Sequence, residues 1–296
     1  MPLIGIIGTG LMGSSIAHCL KSKGYELILY NRTHSKALKL AKELDAVVAN
    51  TPREVADKAI YSIVFVSDDE ALYDVIFGKN GVIETTNKKH VVINASTVTP
   101  LASRRVSNVL KEKGLGYVEA PVFGSVHEAR ECRLISMIAG EKDLVDSIVG
   151  FVNEYSSKTF YAGEIPKAIV LKLAINNIAL SLPPILAESF SLIEAWDINL
   201  DVLLNIISNL WFGDAVKRYL PRIFEEKTPR FKVWMAGKDY LYVVRALEEK
   251  HLPSFVSSTL SSMYMEAASN GYADKDYPQV ARYFIELAKK KKKNLN

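Results

Sequence analysis

Short apolar runs and amphipathic stretches alternate through the first half of the chain. Residues 3–7, Leu-Ile-Gly-Ile-Ile, are apolar without a break and read as a buried strand. Residues 14–23 carry apolar positions at helical spacing and stop at Gly24; 26–30 give a second strand and 35–44 a second helix. Further strands are expected at 60–66, 91–94, 117–120 and 135–139, with helical segments such as 99–113 between them. β-Branched runs alternating with helices imply an α/β unit with a largely parallel sheet covered on both faces.

The pattern changes near Gly163. Residues 166–195 are apolar at helical spacing and contain no glycine; only Pro183-Pro184 interrupts them, implying a kink or a local rearrangement. The later segments, 200–211, 213–224, 235–250, 254–270 and 277–292, all read as helices. Two domains are expected, 1–163 and 164–296, the second all-α and entered by a long helix.

Composition changes this picture little. The 296 residues, 49% of them hydrophobic, suffice for two cores. A net charge of +4 is too small to point to nucleic acid and agrees with a small anionic ligand. Part of it lies in Lys289-Lys290-Lys291-Lys292-Lys293, read as the solvated end of the last helix. The two cysteines, Cys19 and Cys132, lack CxxC spacing and suggest neither a zinc ribbon nor a redox pair. Cys19 reads as a small core residue within the first helix. No His/Asp/Glu cluster has metal-ligand spacing, so no metal is expected. The first apolar run is too short for a signal core or a membrane span, and a cytoplasmic protein with no membrane partner is expected.

Chemistry enters at Gly8-Thr9-Gly10-Leu11-Met12-Gly13. A lone GxGxxG is weak; here it follows a strand, opens a helix and lies in a complete strand-helix-strand unit. Gly8 permits the turn, Gly10 lets a pyrophosphate approach the backbone, and Gly13 lets helix and strand pack closely, while the helix N-terminus faces the phosphates. Leu11 and Met12 complete the contact. This is a Rossmann-type dinucleotide site. Its second strand normally ends in an acid that binds the ribose 2′-hydroxyl. Asn31-Arg32-Thr33 stands there instead. A guanidinium grips a 2′-phosphate, with Asn31, Thr33 and Lys36 adding hydrogen bonds or charge, so NADP (NADPH) is the expected cofactor. Ser67 and Asp68 end another strand and are expected to border the cofactor through their backbone.

Four stretches together resemble the β-hydroxyacid dehydrogenases, which include 3-hydroxyisobutyrate dehydrogenase and the glyoxylate and succinic semialdehyde reductases. They are the glycine turn, Asn94-Ala95-Ser96-Thr97-Val98-Thr99-Pro100, Glu119-Ala120-Pro121-Val122-Phe123-Gly124-Ser125, and Lys172-Leu173-Ala174-Ile175-Asn176-Asn177. Gly237-Lys238-Asp239 is a weaker fifth. The resemblance implies a 6-phosphogluconate dehydrogenase-like fold. It also implies that Lys172 is the general acid/base and that Asn176 orients the substrate. Four residues apart, these two share a helix face among apolar neighbours, where a lysine is either solvated or held with a lowered pKa. Ser96 would contact substrate and Thr97 cofactor, unless such hydroxyls cap the helix after Pro100. Lys238 would place a cation at substrate or cofactor.

The chain departs from the family at a telling place. After Ala-Pro-Val the family has Ser-Gly-Gly, whose serine binds the substrate carboxylate; here stand Phe123-Gly124-Ser125. Either the pocket is more apolar or Ser125 compensates. Cys132 occupies a place where the family commonly has glycine. His127 is read as a surface or capping residue or as a group near the substrate, and Trp211-Phe212 as core or as a flap over the site. The sequence points to an NADP-dependent oxidoreductase interconverting a small β-hydroxyacid and its semialdehyde or keto acid, a homodimer or homotetramer. An imine reductase-like enzyme and a non-catalytic NADP-binding sensor are the alternatives; Lys172 argues against both.

Overall fold

The computed structural model describes residues 2–226 and 228–295, with side chains as far as 290. The side chains of Lys291, Lys292 and Lys293 in the basic run lie outside the described residues. Contacts divide the chain into two units, Met1–Lys172 and Leu173–Asn296.

The first unit runs β1 (Leu3–Ile7), α1 (Leu11–Ser22), β2 (Glu26–Tyr30), α2 (His34–Leu44), β3 (Val47–Val48), α3 (Pro52–Lys58), β4 (Tyr61–Val64) and α4 (Asp69–Phe77). It continues β5 (Val91–Asn94), α5 (Pro100–Glu112), β6 (Gly116–Glu119), β7 (Val122–Phe123), α6 (Val126–Arg130), β8 (Leu134–Ala139), α7 (Lys142–Val152) and β9 (Ser156–Gly163), then the start of α8 (Lys167–Ala179). Strand order is β3-β2-β1-β4-β5-β6-β8-β7, with β9 on β8. From β3 to β6 all neighbours are parallel; β8 runs antiparallel to β6 and β7. Ile4, Ile6, Leu27, Leu29, Ile63 and Ile93 are fully buried between the helical layers. Each such side chain contributes roughly 1.5–3 kcal/mol.

The Rossmann-type sheet expected from the alternation is present. The short strands β3 and β7, two residues each, carry no readable period. The eight-residue β9 was not anticipated, because Ser156, Ser157, Lys158 and Thr159 give it a polar start.

The cysteine reading needs correction. Cys19 is buried as expected, but it forms a disulfide with Cys132, their Cα atoms 5.5 Å apart and the residues separated by 113 positions. Spacing rules see only local pairs; here α1 packs against α6, and Cys132 follows α6 directly.

The division after Lys172 differs from the expected boundary at 163 for a local reason. Glu119 accepts the N–H groups of Ala168 (3.1 Å) and Ile169 (3.2 Å), which ties the first turn of α8 to the sheet.

The second unit continues α8 and adds α9 (Leu182–Ala195), α10 (Leu200–Ser208), α11 (Gly213–Phe224), α12 (Val233–Glu248), α13 (Phe255–Ala267) and α14 (Gln279–Leu295). The expected long helix is two helices. α8 stops at Ala179, and Pro183 and Pro184 sit in the first turn of α9, where a missing N–H costs nothing. Tyrosines take carbonyls at and just beyond the end of α8: Tyr240 donates to Asn177 (3.0 Å), Tyr219 to Ala179 (2.9 Å) and Tyr264 to Leu180 (2.8 Å). Carbonyls left unpaired at a helix end are thereby satisfied. Nearby, the Asp276 carboxylate accepts Arg222 Nε (2.8 Å) and the N–H groups of Arg230 and Phe231, closing the loop before α12.

Candidate active site

Strands β1, β2, β4, β5 and β6 are parallel, so the turns after them gather along one edge of the sheet. The chain moves to β2 on one side of β1 and later to β4 on the other. A crevice forms at such a switch point.

The three glycines after β1 do different things. Gly8 has φ +99°, and an added Cβ would lie 2.0 Å from the Phe65 carbonyl oxygen. A Cβ on Gly13 would lie 1.9 Å from the Gly8 carbonyl oxygen. A Cβ on Gly10 would meet nothing within 4 Å. The fold itself demands Gly8 and Gly13, whereas the bare backbone at Gly10 serves no packing purpose. Gly10 is also the N-cap of α1, with no side-chain cap and no acid in the first turn. An open backbone at an uncapped helix N-terminus fits a dinucleotide's pyrophosphate. Leu11 is exposed beside it, and Met12 packs on the core.

Asn31 departs from its expected role. Its Oδ1 accepts the Thr9 N–H (3.0 Å) and its Nδ2 donates to the Thr33 carbonyl (3.1 Å). The side chain is engaged in locking the two turns together rather than standing ready for a phosphate. Arg32, Thr33 and Lys36 are exposed around it.

Beyond β4, Asp68 caps α4 by accepting the Ala71 N–H (2.8 Å) and also accepts from Ser67 Oγ (2.7 Å). Both side chains are engaged locally. Beyond β5, Ser96 is buried; its Oγ donates to the Val64 carbonyl (3.1 Å) and accepts the Val66 N–H (3.0 Å). Its hydroxyl joins the ends of β4 and β5, which removes support for the expected substrate contact. Thr97 is half-buried next to it, and Thr99 caps α5.

The segment after β6 carries the departure noted in the sequence. Phe123 is partly exposed, and Lys172 Nζ lies 5.1 Å from its ring centre. A cation over an aromatic face is held there electrostatically. Gly124 has φ +141° and turns the chain. Ser125 then caps α6, accepting the His127 N–H (3.3 Å) and pairing with Glu128. Ser125 is thereby engaged at the start of α6. His127 is exposed and pairs with Glu131 (3.3 Å), the surface reading.

Within the second unit, Asn176 is buried and its Nδ2 donates to Asp239 Oδ2 (2.7 Å). Lys238 Nζ lies 3.0 Å from Asp239 Oδ1 and 4.5 Å from the Tyr242 ring centre. Lys238 is thus engaged on its own helix. Trp211 is 95% exposed, which overturns the core reading for it.

Two participants escaped the sequence reading although the quoted stretches contain them. Glu119 is fully buried; burial pushes its carboxyl up to about 7, against the opposing pull of Ser103 and the α8 N–H groups. A charge inside the apolar run Tyr117-Val118-Glu119-Ala120 is the signal that was available. Asp239, also buried, holds Asn176; no periodicity marks it.

Residues 3–163 match the family of the NAD binding domain of 6-phosphogluconate dehydrogenase. The chain is 28% identical over 279 residues to glyoxylate/succinic semialdehyde reductase 1 of Arabidopsis thaliana, covering 94% of this chain and 96% of the relative. Its fold matches 3-hydroxyisobutyrate dehydrogenase of Mycobacterium tuberculosis with L-serine at a TM-score of 0.82, with 19% identity, over 96% of this chain and 99% of that one. Psf3 in complex with NADP+ and 2-OPP matches at 0.81 and 20% identity, over 95% and 99%.

Proposed function

The chain belongs to the β-hydroxyacid dehydrogenase family of NAD(P)-dependent oxidoreductases, and we propose that it reduces small aldehyde or keto acids with NADPH. Succinic semialdehyde and glyoxylate, named for the Arabidopsis relative, are the first substrates to try. The observation that carries the reading is Lys172, whose ammonium is held over Phe123 at the end of β7.

The nicotinamide cofactor supplies the hydride when bound. The open backbone at Gly10 and the α1 N-terminus would hold its pyrophosphate, and Arg32 its 2′-phosphate. Lys172 donates a proton to the substrate oxygen in reduction and accepts it back in oxidation. Asn176, one turn further along α8 and fixed by Asp239, orients the substrate. The ring of Phe123 stands where a hydroxyl would assist a carboxylate, so a less polar substrate tail suits this pocket.

The test is absorbance at 340 nm with each aldehyde and either NADPH or NADH. NADPH turnover with at least one substrate is expected. Arg32→Ala is expected to raise the KM for NADPH by about tenfold or more, the loss of a charge-assisted contact, and to leave that for NADH nearly unchanged. Equal losses for both cofactors would sink the 2′-phosphate assignment.

A further inference from the structure

A buried polar chain crosses the first unit, and the reaction scheme above makes no use of it. Asn94 Oδ1 accepts the Ser96 N–H (3.1 Å), and Asn94 Nδ2 donates to the Tyr117 hydroxyl (2.9 Å). The Tyr117 hydroxyl meets Ser103 Oγ at 2.8 Å, and Ser103 donates to Glu119 Oε1 (2.5 Å). Glu119 Oε2 then accepts the N–H groups of Ala168 and Ile169. The chain begins at the turn after β5 and ends on the first turn of α8.

The first four N–H groups of a helix have no partner inside it. In α8, Lys167 donates to the Glu164 carbonyl (2.9 Å), Val170 to the Pro166 carbonyl (3.1 Å), and Glu119 takes the two between. The residue before Lys167 is Pro166, which offers no side-chain acceptor. A serine, threonine or aspartate there would cap the helix cheaply. Instead the cap comes from a fully buried carboxyl 49 and 50 residues away, and burying such a group is costly. A remote cap does what a local one does not: it fixes the helix against a particular strand.

That strand leads into the residue that Lys172 faces. Glu119 ends β6, and Phe123 follows four residues later. Lys172 lies four residues after Ala168 and three after Ile169, on the same helix face as the capped amides. One short segment therefore holds α8 at its start and presents a ring to its lysine.

We propose that Glu119 is the positioning residue for Lys172, setting the phase of α8 so that the ammonium stands over Phe123. This rests on the reading of Lys172 as the proton carrier. Glu119 acts through the helix and does not touch substrate.

Two conservative variants separate reach from charge. Glu119→Asp keeps the charge and shortens the arm; Glu119→Gln keeps the arm and one carbonyl acceptor. Both are assayed with NADPH and either succinic semialdehyde or glyoxylate, beside Lys172→Ala, and amide hydrogen exchange is followed at residues 168 and 169. Glu119→Asp is expected to lower kcat by about tenfold or more, as misplacing a reacting group does, with KM for NADPH held within about twofold. Those two amides should exchange at least about tenfold faster in it. Glu119→Gln should retain most of kcat and the slow exchange. Wild-type kcat in Glu119→Asp, unchanged exchange there, or an equal loss in Glu119→Gln overturns the positioning role. If Lys172→Ala turns over normally, the proton-carrier reading fails by itself; if it is inactive while Glu119→Asp is normal, only the positioning claim fails.

Discussion

Single residues carry the chemistry here through what surrounds them. Lys172 is defined by the ring it faces, Gly10 by the space above it and Asn31 by the two turns it joins. His90 is a residue defined by burial alone. Its Nε2 lies 2.9 Å from Ser62 Oγ and its Nδ1 2.9 Å from the Ala59 carbonyl, and burial pushes its pKa down to about 4. The unfolded chain binds this proton near the ordinary value of 6.5. The folded state therefore holds fewer protons between these values. The contribution of His90 is complete above pH 6.5, declines as pH falls and levels off below about 4, a loss of about 3 kcal/mol. Urea unfolding at pH 7 and at pH 5 should show a smaller difference in His90→Gln than in the wild type. An identical difference would contradict the assignment. At this scale spacing located the glycines of the turn but not the local partners of the hydroxyls. Gly8, Gly10 and Gly13 stand where their spacing implied, whereas Ser96 and Ser125 are held by neighbouring backbone that spacing does not reveal.

Elements were legible wherever periodicity was long. The strand at 91–94 and the helix at 213–224 agree with the structure to the residue; an apolar run marks the first and apolar positions at helical spacing mark the second. The break between α8 and α9 fell before Pro183 rather than as a bend at it, because a proline is tolerated in a first turn. What the sequence does not show is which elements meet. The Cys19–Cys132 bond joins α1, the helix of the glycine turn, to the end of α6. A cross-link spanning 113 positions removes loop-closure entropy from the unfolded chain, about 4–5 kcal/mol in the chain-entropy picture. Calorimetry should give a lower Tm for the dithiothreitol-reduced protein and for Cys132→Ser, by a similar amount. A Tm unaffected by either treatment would show that the bond adds nothing to stability.

At the scale of the whole molecule, the chain consists of two differently built units. The first offers a switch-point crevice, a bare glycine backbone and an exposed arginine after β2. The second holds Asn176 through Asp239 and anchors carbonyls at and just beyond the end of α8 with three tyrosines. The family and its two-part organisation were readable from four short stretches, because each is tied to a turn or helix face that the chemistry requires. The substrate was not readable, because Phe123 stands where the resemblance leads one to expect a serine. The central claim is that Lys172 carries the proton while the first unit binds the cofactor. Lys172→Ala, measured for NADPH-dependent reduction and for NADPH binding by fluorescence titration, tests it most directly. The account predicts a kcat lower by at least about a hundredfold, within the range for general acid–base groups, with the NADPH Kd changed by less than about threefold. Wild-type turnover by Lys172→Ala would contradict it.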